Sequence, residues 1–240
     1  MFKFSSKFPV FDFSLTFDII ETLITQSESS IEKAITEYNE KGPEEYIIDV
    51  SPEEGIYQST SFYMGLESSS VDLDDMFLMY YPSLFRRSVF LTIFGMFEHE
   101  IEKFCNNFAR RHQTPIKISD LKGSGFERSH LFIKKLLGMG ASPHYSTIKK
   151  ITRLRNSCAH SDAKYIENDG QNSTLILELM DAHPDLFKKD GKQVLFMNGA
   201  LTMVLDSFKS YLAEVEQALD EYEKRNRSGD IVAAAVGNTP

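Results

Sequence analysis

The stretch SLFRRSVFLTIFGMFEHEIEKFCNNFARR, from Ser83 to Arg111, decides the fold. Within it Phe90, Phe94, Phe97, Ile101, Phe104 and Phe108 recur at alternating intervals of four and three residues, with Glu98, Glu100, Glu102 and Lys103 between them. That spacing predicts a long amphipathic helix with a narrow aromatic stripe. Such a stripe is core. It has to be covered by other helices, and it carries no chemistry of its own.

Two further segments supply the cover. Gly199 to Arg225 repeats the pattern with Leu201, Leu205, Phe208, Leu212, Val215, Leu219 and Tyr222. Asp12 to Lys41 carries Phe13, Phe17, Ile20, Ile24, Ile31, Ile35 and Tyr38, and closes on Gly42-Pro43, a stop signal followed by a breaker. Phe126 to Leu137 reads as a shorter helix ended by Gly138 and Gly140. Pro143 to about His160 reads as another, entered through Ser142-Pro143 as N-cap and first helical position. Thr174 to Leu179 (TLILEL) and Gln193 to Phe196 (QVLF) read as short strands around Pro184, Asp190 and Gly191. The expected architecture is all-α, an up-and-down helical bundle over 83–227 with a small β-hairpin flap at about 172–197, before the last helix. Residues 1–82 are expected to add an N-terminal helix and an acidic insertion packed on the bundle, with a short helix at Leu73 to Tyr80. Residues 228–240 read as a flexible tail.

Composition bounds what this bundle does. The 240 residues are 42% hydrophobic and 25% charged, an ordinary globular balance. Two cysteines, Cys105 and Cys158, are too few for a disulfide framework, and no apolar run of about 18 residues or leader segment is present. The reading is a soluble, cytoplasmic protein that needs neither a membrane nor structural zinc. The net charge of −9 excludes a generally basic coat for nucleic acid. The charge is segregated, however. Gly42 to Phe85 holds nine acids and no base, whereas Lys117 to Lys164 holds ten bases against three acids, a block at +7. Such runs are either solvated faces or, for the basic block, an anion site inside an acidic protein.

The basic block contains the one arrangement that looks chemical. Advancing about 100° per residue along the Pro143 helix puts Ile148, Ile151, Leu154 and Cys158 on the core face, with Arg155 at its edge. Asn156 and His160 point away from that core. Arg155 cannot be deprotonated and must find a carboxylate, carbonyls or an anionic ligand. Lys149, Lys150 and Arg153 share the helix, and Lys134 and Lys135 lie on the preceding one; all five are candidate backbone contacts for RNA. Tyr145 and Tyr165 are the nearest aromatics on which a base could stack. Glu98 and Glu102, flanking the aromatic stripe, are candidate supports for Arg155. Cys158, on the core face, reads as a packing residue, and His99, His112, His130, His144 and His183 as surface or structural groups.

The string RLRNSCAHSD, Arg153 to Asp162, resembles the R-x4-6-H signature of the HEPN superfamily, with Arg155, Asn156 and His160 in the signature positions. The layout of long helix, short basic helix, motif helix, insert and final long helix is similar over about Ser83 to Arg225. The resemblance implies a HEPN-like bundle and a metal-independent endoribonuclease with no cofactor, in which Arg155 and His160 are catalytic and Asn156 assists. It also implies a homodimer with a composite active site, a toxin or phage-defence role, and room for an antitoxin or regulatory partner. The chemistry is coherent: RNA carries its own nucleophile, His suits proton transfer near neutrality, and Arg clamps a phosphate. The competing reading is a non-catalytic module of the same fold that dimerises or binds a nucleotide. In that reading Arg155 anchors a phosphate or carboxylate and His160 is incidental.

Overall fold

The computed structural model describes residues 12–123, 125–167 and 170–236, with 48–49 and 227–236 as backbone alone. Helix α1 spans Ser14–Lys41 and stops at Gly42, whose φ of 64° is the left-handed geometry that glycine accepts without strain. Strands β1 (Glu44–Ser51), β2 (Ile56–Tyr63) and β3 (Leu66–Glu67) form an antiparallel sheet. A short helix α2, Leu73–Asp75, is capped by the Asp72 carboxylate, which accepts the Asp75 N–H at 3.0 Å. It runs through a π-helical turn, Met76–Tyr80, into the long α3, Tyr81–His112. Then come α4 (Gly125–Leu137), α5 (Pro143–His160), α6 (Thr174–Ala182), the hairpin β4 (Phe187–Asp190) and β5 (Gln193–Phe196), and α7 (Ala200–Val236).

The chain is predominantly helical, and α3 is its centre, packed by α1, α4, α5, α7 and β5. All six stripe residues are at most 2% exposed. The tightest point is Phe97 against Phe208 of α7, rings parallel within 6° and centroids 3.9 Å apart. No described helix is long and apolar enough to cross a membrane.

Two segments differ from the sequence expectation. Thr174–Ala182 is a helix, not a strand, because Ile176, Leu179 and Met180 at i, i+3 and i+4 all bury, and the helix lies against α5. The β flap is therefore only the β4–β5 hairpin. Within the acidic insertion, for which no strands were expected, Pro52 to Gly55 turns the chain, Gly55 at φ 65°, and lets β1 pair with β2. α7 continues to Val236, and residues 237–240 of the expected tail lie outside the described residues, as do 1–11 of the N-terminal segment.

Two buried arginines near the start of α3 tie the layers together. Arg86 Nε and Nη2 donate to the Glu28 carboxylate of α1 at 2.9 and 2.7 Å, and Nη1 donates to the Phe196 carbonyl of β5 at 3.2 Å. Arg87 Nη1 donates to the carbonyl and to Oδ1 of Asp162, at 3.2 and 3.1 Å, just beyond the end of α5.

Candidate functional site

Helix α5 starts where the sequence places it. The Ser142 hydroxyl accepts the Tyr145 N–H at 2.8 Å, and Pro143 occupies the first turn, where its missing N–H costs nothing. At its other end Ser157 O accepts the N–H groups of Ser161 and Ala163, at 2.8 and 3.1 Å. Asp162 and Ala163 have φ of 52° and 56°, a left-handed geometry disfavoured by roughly 1–2 kcal/mol per residue. Arg87 and a hydrogen bond from Gln193 Nε2 to Asp162 Oδ2 hold that turn in place. His160, the last residue of α5, is thus exposed on a pinned backbone.

Between α5 and α6 lies a cleft of about 420 Å³, walled by Arg153, Asn156, His160, Lys164, Glu167 and Ser173, with Ile166 and Ile176 as its apolar part. Arg155 does not line it. Its guanidinium turns inward, 5.4 Å from the centroid of the Phe94 ring, with Nη2 3.7 Å from Glu98 Oε2. Nη1 donates to Asn156 Oδ1 at 3.0 Å, so Arg155 meets the cleft through Asn156. Its Nε is buried with no hydrogen-bond partner among the described residues.

Glu98 has a second task, because its Oε1 accepts the Phe126 N–H at 2.9 Å and caps α4. Gly125, at φ 50°, makes room for this: a Cβ there would sit 1.9 Å from Glu98 Oε1. Gly125→Ala is expected to evict the carboxylate and destabilise the protein by about 1–2 kcal/mol, from the lost cap and the left-handed backbone. In urea unfolding the Gly125→Ala/Glu98→Ala double variant should lose less than the two singles together, since both remove the same contact. Additive losses would show that the two residues act independently. Glu102, the other candidate support, pairs with Arg128 at 3.5 Å and not with Arg155.

Four of the ten bases in the basic block are met by acids from outside it. Lys150 pairs with Glu178 at 2.9 Å, Arg153 with Glu167 at 2.7 Å, Arg155 with Glu98 and Arg128 with Glu102. Lys149, Lys134 and Lys135 are exposed. Lys134 bears on His130, which stacks on Tyr145 near the start of α5, about 22 Å of helix from His160. The structure therefore gathers Arg153, Asn156 and His160 at one end of α5 and leaves Lys134 and Lys135 at the other. Neither candidate stacking ring stands free: Tyr145 lies against His130 with centroids 3.4 Å apart, and the Lys189 ammonium sits 5.3 Å from the centroid of the Tyr165 ring.

Burial decides the remaining reactive groups. The Cys158 thiol is pushed up to about 12 by desolvation, so it stays protonated and inert. His130, 7% exposed, shares a 2.9 Å hydrogen bond with the Tyr211 hydroxyl; burial first, then Lys134, lowers its pKa from 6.5 to about 4. The unfolded chain then binds the extra proton between those values, so stability is full above pH 6.5 and falls as pH drops toward 4. Urea unfolding at pH 5 is expected to show roughly 2 kcal/mol less stability from this group than at pH 7. His130→Gln should flatten that dependence; an unchanged slope would assign it to other groups.

Sequence reasoning missed Lys164, Glu167 and Ser173 in the cleft, and Arg87 behind it. Only the turn-forming Ser161-Asp162 after the motif signalled a fold-back there. Among the described residues no group of three or more His, Cys, Asp and Glu is placed to hold a metal ion. Comparison with protein-family models, with curated proteins and with solved structures gives no match.

Proposed function

We propose that this chain is a cytoplasmic endoribonuclease of HEPN type, a toxin or phage-defence effector that cleaves RNA without a metal. The observation supporting this reading is that Asn156 and His160 share the wall of one polar cleft while Asn156 holds the Arg155 guanidinium at 3.0 Å. In the reaction His160 takes the proton of the 2′-OH, the O2′–P bond forms and the P–O5′ bond breaks. The 5′-oxygen leaves with a proton from an acid. Arg155 acts through Asn156, which it orients and whose side-chain amide serves the charge that gathers on the phosphoryl oxygens. A two-fold dimer would supply a second His160 as that acid and complete a composite site.

The inward packing of Arg155 on Phe94 and Glu98 favours a second reading, a non-catalytic dimerising or nucleotide-binding module. End-group analysis separates the two. Incubation of the purified protein with a labelled RNA should yield 2′,3′-cyclic phosphate and 5′-hydroxyl ends. RNA that survives intact while nucleotide binds leaves the module.

A further inference from the structure

We propose that Arg153, not Arg155, is the cation that receives a phosphate group in the cleft, and that Glu167 is the internal carboxylate it exchanges to do so. The inference takes from the ribonuclease reading only the nature of the ligand, a nucleotide phosphodiester.

Arg153 is on the cleft side of α5 with Asn156 and His160, whereas Arg155 faces α3. Its Nε donates to the Ser173 hydroxyl at 3.3 Å, and Ser173 is only 3% exposed, so a buried group fixes one edge of the guanidinium. The other edge, at Nη2, holds Glu167 at 2.7 Å. A carboxylate and a phosphate present paired oxygens to that edge in the same way, so the position Glu167 takes is one a phosphate oxygen can take.

The exchange is cheap on both sides. The Arg153 and Glu167 side chains are each 39% exposed, so water screens the pair and its net contribution is small. A phosphodiester arriving in the cleft also meets Lys164, a second cation on its wall. Ile166 and Ile176 offer an apolar wall to the ribose or base. Glu167 is not a trailing surface acid. Its N–H donates to the Gln171 carbonyl at 2.7 Å, and the adjacent Ile166 bridges to Asn172, so the backbone presents the carboxylate to the cleft. A phosphate on Arg153 shares the cleft with His160, two turns further along the same face of α5.

The test uses the full chain with two probes, inorganic phosphate and a 2′-O-methyl RNA hexamer that has no free 2′-OH and cannot be cleaved. Binding is read by calorimetry and by the His160 ring signals in NMR. Glu167→Gln is expected to bind both probes about threefold to fivefold more tightly, and Arg153→Gln at least about tenfold more weakly, with Arg153→Lys between Arg153→Gln and the parent. Glu40→Gln, an equal change of charge on exposed α1, should match the parent within about twofold. Circular dichroism melts establish that each variant is folded. The proposal is overturned if Glu167→Gln binds no better than Glu40→Gln, if Arg153→Gln binds like the parent, or if the parent binds neither probe. Tight binding that responds as expected, with no cleavage of ordinary RNA, removes the ribonuclease reading and leaves this one standing.

Discussion

His160→Ala is expected to slow RNA cleavage by about 10²- to 10⁴-fold, the span of a lost general acid or base. The histidine is the cleaner probe of the motif because it ends α5 in the open and, among the described residues, no side-chain hydrogen bond is made to its ring. Its removal should leave stability within about 0.5 kcal/mol of the parent, as for other exposed positions. Arg155→Ala would mix two losses, since it also strips Phe94 of its cation and Glu98 of its partner. Adding free imidazole to His160→Ala should restore part of the rate, a response that a purely structural histidine would not give. A variant that cleaves within about threefold of the parent ends the catalytic assignment.

The second large effect lies in the core. Phe97→Ala is expected to cost about 3–5 kcal/mol and to lower Tm by roughly 10 °C. The side chain is fully buried, stacked on Phe208 and 5.4 Å from the ring of Phe126, so its loss opens a cavity where α3, α4 and α7 meet. The neighbouring residue is Glu98, so the same cavity loosens the group that caps α4 and faces Arg155. Phe85→Ala, at a position 46% exposed, should cost less than about 0.5 kcal/mol. Scanning calorimetry of the two variants checks the contrast. Equal melting points would mean that the aromatic stripe is not the core.

Local periodicity carried most of the helical layout, because an apolar face repeated over many turns is written in one stretch of chain. Phe90 through Phe108 are buried as their spacing demands, and Ser142-Pro143 starts α5. The TLILEL segment misled because six residues do not separate a strand from a helix. The deciding residue, Met180, lies just past them. The acidic insertion hid its strands because their side chains are mostly exposed, so no alternation marks a buried face. At the site, the order of Arg155, Asn156 and His160 on one helix was legible, and so was a link from Glu98 to Arg155. Partnership across the fold was not. Nothing near Arg153 in sequence announces Glu167 and Ser173, and nothing near Arg87 announces Asp162, 75 residues away. For the same reason the basic block looked more open than it is, since four of its cations are met by acids that lie outside it.

The Arg86 contacts bear on how this protein can change over time. The acid that balances this buried guanidinium comes from α1, and the carbonyl that completes it comes from the hairpin. Neither Arg86 nor Glu28 can be exchanged alone without stranding its counterpart, so descendants of this sequence must keep both or replace both together. The N-terminal helix is therefore bound to the lineage of the bundle, since a segment that begins at Ser83 would carry Arg86 away from its acid.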